Sequence, residues 1–181
     1  MCGIVGYVGT HEPKGILLDA LKRLEYRGYD SAGIAVFQNG QIEVFRCSGK
    51  LENLERELTQ KRFNGHTGIG HTRWATHGSP TEANAHPHRV GKFTIVHNGI
   101  IENFVDLRKL AQAAGRKIQS ETDTEIIAHI LDMEFEKCQS VISAVMNTLP
   151  QLRGSYALGI VHDSLPEQII GVRNAQCDLS R

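Results

Sequence analysis

The sequence lacks several features that mark particular classes of protein. Lys and Arg together number 20, as do Asp and Glu, so the formal net charge is zero and neither a nucleic-acid nor a membrane-surface partner is indicated. No apolar run approaches the roughly 18 residues of a membrane-spanning helix. The N-terminus has neither the basic region nor the apolar stretch of a signal peptide. We therefore expect a chain that binds neither nucleic acid nor membrane.

Cysteine is also scarce. Cys2, Cys47, Cys138 and Cys177 are scattered and show no CxxC spacing. Such a pattern does not fit a disulfide framework, and it favours a reducing, cytoplasmic location.

The periodicity of apolar residues predicts an α+β domain with strands early and late and a block of helices between them. The predicted strands are GIVGYV (3–8), GIAVFQ and QIEVFR around Asn39-Gly40, GHTGIGHTR (65–73), KFTIVHNG (92–99), GSYALGIVHD (154–163) and QIIGV (168–172). The predicted helices cover 14–25, 50–60, 101–115, 122–135 and 140–149. We expect the 50–60 helix to be a polar surface helix and 75–90 to be one long polar loop. Because the two late strands are apolar on both faces, we expect both to be covered on both sides.

Cys2 directly follows Met1, so removal of the initiator methionine would make the thiol the first residue. A first-residue cysteine carries its own base, because an α-amine titrates at roughly 7.7–8.0 and a thiol near 8.5. The amine can then accept the thiol proton and return it to a leaving group. Alternatively, Cys2 is a small buried residue that begins a strand. Position alone leaves both interpretations open.

Five stretches, taken in order, carry a resemblance to a known family. They are MCGIVG (1–6), EYRGYDSAG (25–33), GHTRWATHG (70–78), HNGIIEN (97–103) and SETDTE (120–125). Together they resemble the glutamine amidotransferase domain of the N-terminal-nucleophile class, and within it the glucosamine-6-phosphate synthase family. The resemblance covers residues 1–173 and leaves 174–181 as a divergent polar tail. It implies a four-layer αββα sandwich that is shorter at its C-terminus than is usual for the family.

The resemblance also implies an activity. Cys2 would attack the side-chain amide of L-glutamine, with the Asn98 side chain and the Gly99 N–H holding the oxyanion. The products would be glutamate and ammonia. In the family, the ammonia serves glucosamine 6-phosphate synthesis from fructose 6-phosphate, which an isomerase half binds, and the full-length enzyme is a homo-oligomer. No cofactor and no metal are implied.

Further residues acquire roles by the same resemblance. Arg73 would bind the α-carboxylate of glutamine and Asp123 its α-ammonium group. The resemblance implies that the other residues of the glutamine pocket are Trp74, Thr76, His77 and His86. Trp74 would belong to a lid at 74–82, and Arg27 and Asp30 would form a supporting ion pair.

Simpler interpretations exist for the same residues. Arg73 could be a solvated charge at a strand end, Asp123 a carboxylate favoured by a helix N-terminus, and Asn98-Gly99 an ordinary turn. His86-x-His88 could ligate zinc, although no cysteine or acidic ligand cluster accompanies it. Two alternative functions follow: an N-terminal-cysteine amidase for another amide, and a truncated domain that binds glutamine without hydrolysing it.

Overall fold

The computed structural model describes residues 2–27, 30–74 and 79–174, with the side chain of Arg27 excepted. The strands in these ranges are β1 (Gly3–Val8), β2 (Ser31–Gln38), β3 (Gln41–Ser48), β4 (Thr67–Arg73), β5 (His88–Val90), β6 (Phe93–Gly99), β7 (Tyr156–His162) and β8 (Ile170–Asn174). The α-helices are α1 (Pro13–Leu24), α2 (Leu51–Leu58), α3 (Phe104–Ala113), α4 (Asp123–Cys138) and α5 (Val141–Thr148). Short 3₁₀ helices lie at Glu25–Arg27, Glu82–Asn84 and Leu149–Gln151.

The strands form two antiparallel sheets of four strands each. Their orders are β1-β4-β2-β3 and β5-β6-β7-β8. The hairpin between β2 and β3 turns at Asn39 and Gly40, whose φ angles are 53° and 82°. Positive φ at both central residues is what a two-residue hairpin loop of this kind requires, as the Asn-Gly pair predicts.

The two sheets pack face to face, and helices cover their outer faces. Leu21 and Leu54 belong to the apolar layer between α1, α2 and the first sheet. Ile69 and Val96 lie in the layer between the two sheets. Ile130 belongs to the layer between the second sheet and α3–α5. The order is therefore helices, sheet, sheet, helices, and the predicted α+β class with four αββα layers is confirmed.

The start of α4 combines a helix cap with a second set of bonds. The Thr-x-x-Glu spacing of Thr122 and Glu125 predicts a capping box, and Thr122 Oγ1 accepts a hydrogen bond from the Glu125 N–H as that motif requires. The Glu125 carboxylate does not reach back to Thr122, and instead accepts from the N–H groups of Gln119 and Ser120 at 2.7 and 2.5 Å. The Glu125 carboxylate thus holds the segment before α4, while the Glu125 N–H completes the helix cap.

Three expectations from the sequence are wrong in detail. The helix at 50–60 is not polar throughout, because Leu51, Leu54 and Leu58 form one buried stripe at i, i+3 and i+7. The 75–90 segment is not a single loop, since it contains the Glu82–Asn84 turn and ends in β5.

The third correction concerns β8. This strand is the edge of its sheet and pairs only with β7. Gly171 and Arg173 are exposed, so β8 is not covered on both sides in the described part of the chain. None of the helices described is long and apolar enough to cross a membrane.

Candidate active site

One small cavity collects most of the residues to which the sequence assigns chemistry. It measures about 30 Å³, which is roughly the volume of one water molecule in the liquid. Its walls come from five places in the chain: just before β1, the end of β4, the segment before β5, the end of β6 and the start of α4. The lining residues are Cys2, Arg73, Trp74, His86, His97, Gly99, Thr122 and Asp123.

Cys2 reaches the cavity because β1 lies beside β4. Gly3 is opposite Thr72 in the strand register, so Cys2 is brought to the end of β4. A Cβ at position 3 would lie 2.7 Å from Thr72 Oγ1 and 2.8 Å from Leu24 Cβ, which is why glycine fits there. The Trp74 N–H donates to Cys2 Sγ at 3.4 Å. Burial raises the pKa of the Cys2 thiol, although the Trp74 bond opposes this.

Arg73 is the last residue of β4 and is only 4% exposed. Its Nη1 donates to the carbonyl of Ser79 at 3.3 Å. Burial lowers the pKa of the guanidinium, and the charges of Cys2, Asp30 and Asp123 oppose that shift. A buried guanidinium beside Cys2 does not fit the interpretation of Arg73 as a solvated surface charge.

Asp123 is the first residue of α4, where a carboxylate also suits the helix dipole. Its Oδ2 accepts from the Ile101 N–H at 3.0 Å, and its Oδ1 lies 3.5 Å from His97 Nδ1. Burial alone would raise the pKa of Asp123. The hydrogen bond and charge of His97 and the Ile101 N–H outweigh burial, so the pKa is lowered and the carboxylate is charged at neutral pH.

Gly99 ends β6 at a point where no other residue fits easily. Its φ is 144°, and a Cβ there would lie 2.3 Å from the Ser155 carbonyl oxygen. Asn98, the preceding residue, is partly buried and pairs with Ala157 of β7. Gly99 lines the cavity and Asn98 does not.

A row of buried histidines backs the cavity. The rings of His71 and His86 are 4.1 Å apart, and His71 Nε2 lies 2.9 Å from the carbonyl oxygen of His97. His88 Nε2 lies 3.0 Å from Thr122 Oγ1. Burial is the main cause that lowers the pKa of His71 and His88 to about 3, and it lowers that of His86 well below its usual value. These three imidazoles are therefore neutral at pH 7.

Among these histidines, the resemblance assigns a role in the glutamine pocket only to His86. His71 and His97 each lie within a quoted motif, GHTR and HNG, and His88 shares the His-x-His spacing with His86. These positions in the sequence therefore indicate that the three histidines belong to the site. Within the described ranges no group of three or more His, Cys, Asp or Glu side chains could hold a metal ion.

The structure describes only some of the remaining predicted site residues. Thr76 and His77 lie outside the described residues, as does the side chain of Arg27. Asp30 is described, and its N–H donates to the Arg73 carbonyl at 3.1 Å. Its charge also opposes the lowering of the Arg73 pKa. Asp30 therefore supports Arg73, whereas its predicted pairing with Arg27 stays a prediction.

The sequence of this chain was compared with those of known protein families. A family model described as a glutamine amidotransferase domain matches residues 71–176. The chain belongs to this family. The match includes Arg73, Gly99 and Asp123, three of the cavity's lining residues.

Relatives and solved structures point the same way. The chain is 54% identical over 173 residues to glutamine–fructose-6-phosphate aminotransferase (isomerizing) of Brucella suis biovar 1 (strain 1330), which covers 96% of this chain and 28% of the relative. It is 48% identical over 175 residues to the protein of the same name from Clostridium acetobutylicum, again over 96% of this chain and 28% of the relative. The chain therefore spans under a third of the length of these relatives.

The structure is similar to glutamine phosphoribosylpyrophosphate amidotransferase from B. subtilis, with a TM-score of 0.75 and 24% identity over 90% of this chain and 35% of that chain. At this identity the likeness concerns the fold alone. It confirms the predicted fold of the N-terminal-nucleophile type, and the two matched relatives confirm the resemblance to the glucosamine-6-phosphate synthase family.

Proposed function

We propose that residues 1–173 form a glutaminase domain that hydrolyses the side-chain amide of L-glutamine to glutamate and ammonia through a thioester on Cys2. One observation carries the proposal. The thiol of Cys2, the buried guanidinium of Arg73 and the charged carboxylate of Asp123 all line the same cavity. L-Glutamine offers the complementary groups: an amide carbon, a carboxylate and an ammonium group. Residues 174–181 are proposed as a tail that follows this domain, with Asn174 still paired in β8.

The first half of the reaction forms the thioester. Because burial raises the pKa of the Cys2 thiol, the sulfur is protonated at rest and needs a base. After removal of Met1 the free α-amine of Cys2 accepts that proton. Sγ then bonds to the amide carbon, the amine returns the proton to the amide nitrogen, and the C–N bond breaks to release ammonia.

The second half of the reaction regenerates the enzyme. Water gives a proton to the α-amine and attacks the thioester carbon. The C–S bond breaks, glutamate forms, and the proton returns to the thiolate. Every step uses groups of the chain and its substrates, so the proposal needs no cofactor and no metal.

Charge that develops on the carbonyl oxygen needs hydrogen-bond donors. We assign this role to the Asn98 side chain and the Gly99 N–H, at the end of β6. One donor of this kind can be worth roughly 2.7–4 kcal/mol of transition-state stabilisation. The position of Gly99 in the cavity wall supports the assignment.

Recognition of the amino-acid head is assigned to the two charged residues. A planar guanidinium matches a carboxylate with two parallel bonds, so Arg73 binds the α-carboxylate. Asp123 binds the α-ammonium group, and its lowered pKa keeps it charged. Trp74, Thr76, His77 and His86 complete the pocket in this proposal, with 74–82 as the lid over bound glutamine.

The relatives' name supports a destination for the ammonia. Proteins named glutamine–fructose-6-phosphate aminotransferase (isomerizing) are more than three times as long as the matched region. We propose that ammonia from this domain serves fructose 6-phosphate in an isomerase half, in a cytoplasmic homo-oligomer with neither nucleic acid nor membrane as partner.

Ammonia release by the purified chain, with and without Cys2→Ala, tests the proposal. The wild type should release ammonia from L-glutamine, and Cys2→Ala should reduce this by at least about a thousandfold because the nucleophile is gone. Undiminished turnover in Cys2→Ala would overturn the thioester mechanism. A wild type that prefers an amide without an α-amino acid head would favour another amidase, and glutamine binding without ammonia release would favour a non-catalytic domain.

A further inference from the structure

Ser79 is held from two sides by residues outside the cavity. Its N–H donates to Glu121 Oε2 at 3.2 Å, and its carbonyl accepts from Asn84 Nδ2 at 3.0 Å. Asn84 and Glu121 also bond to each other twice, Nδ2 to Oε2 at 3.0 Å and the Glu121 N–H to Asn84 Oδ1 at 2.9 Å. We call these three residues the Ser79 clamp.

Asn84 is the centre of the Ser79 clamp. It is 2% exposed, and both amide hydrogens and the amide oxygen have partners. Burial of an amide is favourable only when its hydrogen bonds are made, so this side chain is held in one orientation. Because Glu121 is exposed, it can be changed without opening a cavity in the core.

The Ser79 clamp connects the two residues to which we assign recognition of the substrate's amino-acid head. Arg73 Nη1 donates to the same Ser79 carbonyl that Asn84 holds, at 3.3 Å. Glu121 lies two residues before Asp123 in the segment that leads into α4. A shift of Ser79 would therefore move the guanidinium relative to the carboxylate.

The segment after Asn84 is fixed as well. Arg46 Nη1 donates to the Ala85 carbonyl at 3.3 Å. Gly33 admits the His86 carbonyl, because a Cβ at position 33 would lie 2.2 Å from that oxygen. The Ser79 clamp is thus one end of a stretch that the first sheet holds in place, and it can act as a fixed support.

We propose that Asn84 and Glu121 are positioning residues for recognition of the substrate's amino-acid head: through the Ser79 carbonyl they keep the Arg73 guanidinium at a set place relative to Asp123. This inference rests on the proposed glutaminase function. The Asn84 and Ser79 bonds also hold the pKa of the Glu121 carboxyl below its usual range, so the acceptor stays charged at working pH.

The test compares two reagents that alkylate Cys2. A diazoketone analogue of L-glutamine carries the amino-acid head, whereas iodoacetamide does not. The variants are Glu121→Ala, which removes the acceptor, and Glu121→Gln, which keeps a carbonyl there. The matched control is Glu167→Ala, a loss of the same charge from an exposed position in the loop between β7 and β8. Alkylation rates and the KM and kcat for glutamine are measured on the chain with Met1 removed.

Glu121→Ala should raise the KM for glutamine about tenfold with kcat within about threefold, because binding geometry is lost and the reacting groups are not. Alkylation by the diazoketone should slow about tenfold and alkylation by iodoacetamide by less than about twofold. Glu121→Gln should recover most of the loss, and Glu167→Ala should match the wild type. Equal slowing with both reagents, or an unchanged KM in Glu121→Ala, would overturn the positioning role. A wild type in which the diazoketone had no advantage would overturn the proposed function and the positioning role with it.

Discussion

His97 Nδ1 lies 3.5 Å from Asp123 Oδ1, and the same nitrogen is 3.0 Å from Thr124 Oγ1. His97 immediately precedes Asn98 and Gly99 on β6. One strand end therefore contacts the carboxylate assigned to the ammonium group and carries the donors assigned to the oxyanion. A displacement of β6 would disturb both ends of a bound glutamine.

Asp123→Asn should weaken glutamine binding with less effect on the chemical step. The amide keeps the shape of the side chain but loses the charge, so we expect the KM for glutamine to rise about tenfold to a hundredfold. Steady-state kinetics measure this. Asp106→Asn, an exposed residue in the first turn of α3, is the matched control and should leave KM unchanged. A KM unaffected by Asp123→Asn would exclude the assigned role.

The lowered pKa of Asp123 leads to a second prediction, about how KM responds to pH. The carboxyl stays charged down to below its ordinary value of 3.8, so its protonation should not raise KM between pH 7 and pH 5. A rise in KM over that range that disappears in Asp123→Asn would show that the carboxyl titrates higher than its contacts imply.

Gly99→Ala should reduce both stability and activity. The backbone at φ 144° is unfavourable for alanine, and the new Cβ would meet the Ser155 carbonyl. We expect a loss of about 2 kcal/mol or more in unfolding free energy, measured by urea denaturation. Gly171→Ala is the control, since a Cβ there meets nothing within 4 Å. If the two variants were equally stable, the reason given for glycine at position 99 would be wrong.

His88 should contribute to loss of stability in acid. It takes up a proton near pH 6.5 when unfolded, but its pKa in the folded state is about 3 because it is buried. Between those values the unfolded state binds one more proton, so stability falls as pH falls. His88→Gln should make this decline shallower by about 1.4 kcal/mol per pH unit between pH 6 and 4.

Urea titrations at several pH values measure the effect of His88→Gln. Between pH 7.5 and 8.5 the imidazole is neutral in both states, so the variant and the wild type should have parallel curves there. Parallel curves between pH 6 and 4 as well would contradict the low folded-state pKa.

The sequence predicted local structure well where adjacent residues determine it. The Asn39-Gly40 hairpin and the Thr122 cap depend on adjacent residues, and both are present. β5 was missed because His88–Val90 is short and carries two polar residues, so it becomes a strand only by pairing with β6.

The contacts of the site were less predictable. Sequence motifs indicated Cys2, Arg73 and Asp123, and all three line the cavity. The bonds between Asn84 and Glu121 join residues 37 apart, and no periodicity encodes such a contact. His97 lies in the HNG motif, but its place in that motif does not identify Asp123 as its partner.

The most direct test of the account compares two preparations of the chain that differ only at the front end. One begins at Cys2 and the other retains Met1, and intact mass spectrometry verifies each. We expect ammonia release from L-glutamine only with the preparation that begins at Cys2, because only there is the α-amine on the residue that carries the thiol. Equal turnover by the chain that retains Met1 would contradict it.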